Sequence, residues 1–198
     1  MWSCHCSYHR LTHIELKTIE LKAFIHIIDD VHNKDDIHTT KCEQTLMFSL
    51  TSQQQSCSKS RSLTTGEIAI AKSVFGDDLD TSSVQIKTAW WVLKNYAVSP
   101  NGNIYFHRDD WIEDFSNQSL SLRAWLVHEL THVWQVQQGM AVFYKALFNR
   151  KYSYVLKAGK PFVSYGIEQQ ARMVEDFYKR RERQQNCDDL LACIPFLS

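Results

Sequence analysis

The chain has 198 residues, and its 22 Lys and Arg balance 22 Asp and Glu, so the formal net charge is zero. That balance excludes the basic footprint of a nucleic-acid binder or a polybasic membrane patch, and no apolar run approaches the roughly 20 residues that cross a bilayer. Six Trp, eight Tyr and ten Phe belong to a folded core rather than to a disordered chain, and the length allows one domain, or one domain with an extension.

Residues 1–62 differ in character from the rest and read as an N-terminal extension and linker. The start, MWSCHCSYHRLTH, lacks the basic start and apolar stretch of a secretory signal. Cys4, Cys6, His9 and His13 are metal-ligand types, but their gaps are too short for a usual zinc finger. IELKTIELKAFIHII mixes two periodicities and is assigned to neither helix nor strand. The polar stretch TSQQQSCSKSRS closes the segment as a linker. None of the six cysteines forms a CxxC pair. Cys187 and Cys193 flank a short C-terminal loop, and both a disulfide and free thiols are open to them.

The signals sharpen over 63–198. TTGEIAIAKSVFG has Thr64 and Glu67 at capping-box spacing and Gly76 as a stop, which predicts a helix over 65–75. SVQIKTA alternates and reads as a strand. YAVSPNGNIYFH reads as a hairpin, with Pro100-Asn101-Gly102 as the turn and Asn103–His107 as the return strand. SLSLRAWLVHELTHVWQVQQG predicts a helix over about 120–138, started by a Ser and ended by Gly139. AVFYKALF suggests a short helix. VSYGIEQQARMVEDFYKRRERQ predicts a long one, with Ile167, Ala171, Val174 and Tyr178 on one stripe. Helix, strands, then helices suggest an α+β fold. Trp90 and Trp91 read as core packing rather than as a binding platform.

The stretch HELTHVWQ, 128–135, poses the chemical question. On a helical wheel Leu122, Trp125, Leu126, Val133 and Val136 form an apolar arc with Glu129 in its middle. A buried carboxylate is costly unless something justifies it. His128 and His132 are four apart and share a face, so both can grip one ion. This is the HExxH arrangement, with two zinc ligands and a general base, Glu129, between them. Zinc requires at least a third protein ligand, and a catalytic site keeps a further position open. Glu168, early in the next long helix and one turn before the small Ala171, is the candidate. Glu175, Asp176 and His107 compete with it.

LTTGEIAIAKSVFG, VSPNGNIYF, AWLVHELTHVWQVQQG and YGIEQQA, in that order, resemble the Vgr-related zinc metallopeptidases, which are similar to the C-terminal peptidase domain of some VgrG spike proteins of the type VI secretion system. The likeness covers about 63–180. It implies a zincin-like, gluzincin-type catalytic domain over 63–198, with an active-site helix and a small sheet. It also implies an antibacterial effector delivered into a rival cell's envelope, His128, His132 and Glu168 as zinc ligands, and Glu129 as the base. A secretion carrier and a cognate immunity protein are the implied partners. No spike domain precedes the catalytic part, so a separate carrier or a non-covalent dock is expected, with residues 1–62 as either the docking element or a flexible leader. Without a signal peptide the protein is expected to be made in the cytoplasm and delivered to the target cell's periplasm. Arg172 stands four after Glu168, where thermolysin-like gluzincins carry an orienting Asp; Asp176 or Glu175 could supply that contact.

On this reading the substrate is a peptide or amide bond in peptide, protein or peptidoglycan. Tyr165, Tyr152, Tyr154 and His107 are the candidates for oxyanion donor, Tyr165 foremost. The strand Asn103–Phe106 is the candidate edge for an extended substrate. The competing class is a zinc-stabilised interaction module or adaptor without activity. An intact Glu129 argues against it, because a binding module has no use for the base.

Overall fold

Two compact units divide after Cys57, one Met1–Cys57 and the other Ser58–Ser198. The computed structural model describes residues 58–140 and 151–197, all in the second unit. The short helix expected over 141–148, the unassigned stretch 14–28, the Cys4, Cys6, His9 and His13 group, and Cys42 and Cys57 lie outside the described residues.

The architecture is a small mixed sheet with helices, in the order β1 Ser60–Ser62, α1 Thr65–Phe75, β2 Gln85–Thr88, β3 Ala97–Val98, β4 Ile104–Phe106, α2 Leu120–Gln137, α3 Ile167–Glu182 and α4 Asp188–Leu191. Strand β1 lies in what the sequence suggested was linker. It pairs antiparallel with β2, and Arg61 within it is held by Glu67. The Arg61 Nη1 and Nη2 atoms each stand 2.7 Å from a Glu67 carboxylate oxygen, and Nη2 also donates to the Ile112 carbonyl at 2.9 Å. A polar composition concealed the strand because its inward contact is a charge pair, not an apolar face.

Helix α1 starts as expected. Thr64 Oγ1 accepts from the Glu67 amide and Glu67 Oε2 accepts from the Thr64 amide, the reciprocal capping box. Glu67 is fully buried and also accepts from the Phe115 amide at 2.8 Å. Gly76 and Gly139, at φ 55° and 73°, follow α1 and α2 in a region that other residues enter at a cost.

The sheet order is β1-β2-β4-β3. The hairpin joins β3 to β4 antiparallel, and β2 runs parallel to β4. Strand β4 is therefore interior, and all three of its residues are buried. The edge expected at Asn103–Phe106 falls instead at β3, because β2 takes the other flank of β4. Trp91 packs on Tyr105 with ring centroids 5.5 Å apart, whereas Trp90 is 62% exposed.

Helix α2 lies at the centre. Every residue from Leu126 to Gln135 is buried, so the helix has no solvent face there and is more than the single apolar arc read from its sequence. One side meets the sheet, where Trp125 sits edge-on to Phe106 at 4.9 Å. Another meets α3, its most extensive helical neighbour. The expected stripe of Ile167, Ala171, Val174 and Tyr178 is buried. Among the described residues no helix is long and apolar enough to cross a membrane. Cys187 and Cys193 are free thiols packed against the core, and burial raises the Cys193 pKa.

Candidate metal centre

The geometry of α2 resolves the puzzle of its buried carboxylate. Successive residues turn by about 100°, so Glu129 faces the sheet while His128 and His132 face α3. Glu129 is 4% exposed and Ser99, just beyond β3, donates its hydroxyl to Glu129 Oε2 at 2.9 Å.

On the α3 side, Oε2 of Glu168 stands 3.4 Å from Nε2 of His128 and 3.4 Å from Nε2 of His132. One donor atom from each residue lies within 4.8 Å of the others, and all three residues are buried. The spacing discriminates between two arrangements. A charge-assisted hydrogen bond from imidazolium to carboxylate closes to about 2.7–2.9 Å. Nitrogen and oxygen ligands of a tetrahedral zinc, each about 2.0–2.2 Å from the ion, stand about 3.3–3.5 Å from one another. The two distances from Glu168, 3.4 Å each, fall in the second range. These three residues could therefore hold a zinc-sized cation.

The outward nitrogens are also committed. His128 Nδ1 lies 3.1 Å from Glu175 Oε2, and His132 Nδ1 lies 2.9 Å from Gln135 Oε1. Both acceptors favour a proton on Nδ1 and a lone pair on Nε2, the tautomer a metal ligand needs. Glu175 is itself held by Lys179 and, at 3.4 Å, by Arg172. Two buried carboxyl groups, Glu129 and Glu168, thus stand beside the imidazoles.

The electrostatics carry the same sign. Burial opposes charge on His128, but Glu168, Glu175 and Glu129 outweigh it and push its pKa up to about 10. Burial likewise resists protonation of His132, and Glu168 raises it nonetheless, against the neighbouring His128. Burial alone would raise Glu168; His132 and His128 hold it well below the usual carboxylate range. Glu175 is lowered, again against burial, by His128 and Lys179.

The other expected residues fall out differently. The Tyr165 hydroxyl is engaged by the backbone, accepting from the Lys157 amide at 3.1 Å and donating to the Val155 carbonyl at 3.3 Å. It fastens the 155–157 segment. Tyr154 donates to Asp176, which also receives Arg172. His107 caps a short turn through the Asp109 amide. Tyr152 alone of that group has its ring near the cluster, 6.2 Å from the ring of His128, and is half exposed. Ser99, Gln135 and Gln170 were not anticipated. A Ser at a hairpin turn and Gln residues on helices are ordinary, and only the tertiary contacts mark them.

No protein-family model matches the chain. It is 38% identical over 130 residues, 60% of its length, to the type VI secretion system spike protein VgrG2b of Pseudomonas aeruginosa, of which the match spans 13%. It also matches the solved structure of the effector domain of Pseudomonas aeruginosa VgrG2b with a TM-score of 0.61 at 34% identity, covering 67% of this chain and 80% of that one.

Proposed function

This chain belongs to the family of the VgrG2b effector domain, and from that membership we propose that it is a type VI secretion effector acting as a gluzincin-type zinc metallopeptidase on a zincin-like fold. The observation that carries the enzymatic reading is the convergence of one donor atom each from His128, His132 and Glu168 within 4.8 Å of one another, beside Glu129. When bound there, zinc supplies Lewis acidity, which polarises a carbonyl and acidifies water. Glu129 takes the proton of the attacking water and passes it to the leaving amine. Ser99 holds one oxygen of that carboxylate, so the other is presented in a fixed direction. Glu175 and Gln135 hold the imidazoles in register. Tyr152, whose ring lies 6.2 Å from that of His128, is the candidate hydroxyl donor to charge developing on the substrate oxygen. The short edge strand β3 lies immediately before Ser99, so an extended peptide added to that edge runs past the base.

The substrate is a peptide or amide bond of protein or peptidoglycan in the target-cell envelope, reached through a carrier such as a VgrG spike. An immunity protein in the producing cell is the expected counterpart. Expression in a bacterial cytoplasm and export to the periplasm with an added signal test this. Export is expected to be harmful, and Glu129→Gln, which keeps the ligands and removes the base, to abolish the harm. Equal harm from Glu129→Gln would replace the hydrolase with a module that acts by binding. Equal harm of the parent protein in both compartments would remove the envelope from the account.

A further inference from the structure

Gln135 and Gln170 are 0% and 1% exposed, and every polar contact of their side chains is made within one chain of hydrogen bonds. Gln170 Nε2 donates to the Tyr165 carbonyl at 2.8 Å. Gln135 Nε2 donates to the Ile167 carbonyl at 3.0 Å and to Gln170 Oε1 at 2.9 Å. A main-chain carbonyl can only accept, so each amide must turn its NH2 group toward it. That fixes both amide orientations. Gln135 Oε1 then faces His132 Nδ1 at 2.9 Å, and that nitrogen must be the donor. The polarity of the whole chain is thus set by two backbone carbonyls at the start of α3, those of Tyr165 and Ile167.

We infer that Gln135 and Gln170 are positioning residues that clamp two ligands from different helices, His132 and Glu168, into a metal-ready arrangement. Tyr165, Ile167 and Gln170 bracket Glu168 in the chain, so the clamp grips the turn that carries it. The same amide that orients His132 on α2 therefore sets the height of Glu168 on α3. The two imidazoles are backed unequally. His128 leans on the Glu175 carboxylate, and His132 leans on a neutral amide whose strength lies in its fixed geometry.

This inference rests on the metal-centre reading. Its test is zinc affinity by chelator competition in the full chain, comparing wild type, Gln135→Met and Gln170→Met. Met keeps the volume and removes the hydrogen bonds. Gln135→Met is expected to weaken zinc about 10–100-fold. Gln170→Met is expected to weaken it less, since Gln135 keeps Ile167 and His132. A second readout is proton NMR of the zinc-loaded protein. Wild type should show two slowly exchanging imidazole Nδ1–H signals, and Gln135→Met should lose that of His132 while Gln170→Met retains it. Unchanged zinc affinity in Gln135→Met overturns the clamp and leaves the metal centre standing. A wild type that takes up no zinc overturns both. If Gln135→Met does not fold, Gln170→Met decides: zinc affinity equal to wild type refutes the clamp.

Discussion

Removing Arg61 should cost the unit Ser58–Ser198 a large share of its stability, although the residue lies in a stretch with the composition of a linker. Glu67 is fully buried and its carboxylate is shared between Arg61 and the amides of Thr64 and Phe115. Arg61→Ala leaves that charge without its cation. Breaking a buried pair from one side costs about 3–5 kcal/mol. The two remaining amide donors put the expected loss at the lower end, about 3 kcal/mol. Against a total of about 5–15 kcal/mol that is substantial. At about 3–4 °C per kcal/mol for a unit of this size, Tm should fall by roughly 10 °C. Urea denaturation and thermal melts of wild type and Arg61→Ala measure it. A chain beginning at Leu63 loses β1 as well and should fare worse, whereas one beginning at Ser58 keeps the pair. A change in Tm of less than about 2 °C in Arg61→Ala would refute the reasoning, since it would mean that Glu67 does not depend on the pair.

Three further outcomes follow from the site. Glu168→Ala should abolish stoichiometric zinc binding, while Glu175→Gln should weaken it about 10–100-fold; equal or greater loss at Glu175, read by chelator competition, would exchange their roles. Ser99→Ala should retain zinc and fold but lower turnover, with Ser99→Thr restoring it, as measured on whichever peptide substrate the wild type cleaves. The third outcome concerns pH. His128 and His132 have raised pKa values in the metal-free protein, that of His128 about 10. Between about pH 6.5 and 10 the native state holds protons the unfolded state has released, so metal-free stability should fall as pH rises through that window. Zinc must displace those protons, so its affinity should rise over the same range and binding should release protons to the buffer. Melts with and without zinc should therefore diverge as pH increases; a gap that narrows would contradict the assignment.

Much of the site was legible because its logic is local. Thr64 with Glu67, Ser119 before α2, and His128, Glu129 and His132 all act across one helical turn, and a turn is a short pattern in sequence. Glu168 was reachable through the inward stripe of α3, and Glu175 as an orienting group through its place on the same helix. What escaped depends on distant residues meeting. Arg61 finds Glu67 only because β1 pairs with β2, and Ser99 meets Glu129 only because the hairpin lies over α2. β4 was misread as an edge because nothing in its own residues announces a parallel neighbour. Tyr165 was chosen for proximity in sequence to Glu168, and its hydroxyl turned out to serve the backbone of 155–157.

In the proposed function His128, His132 and Glu168 hold one zinc ion beside Glu129, and metal analysis of the purified protein, after dialysis against a weak chelator, tests this most directly. About one zinc per chain is predicted in wild type and in Glu129→Gln, with hydrolysis lowered about 10²–10⁴-fold in the latter, and no zinc in the His128→Ala/His132→Ala double variant. Stoichiometric zinc persisting in the double variant, or none in the wild type, would contradict it.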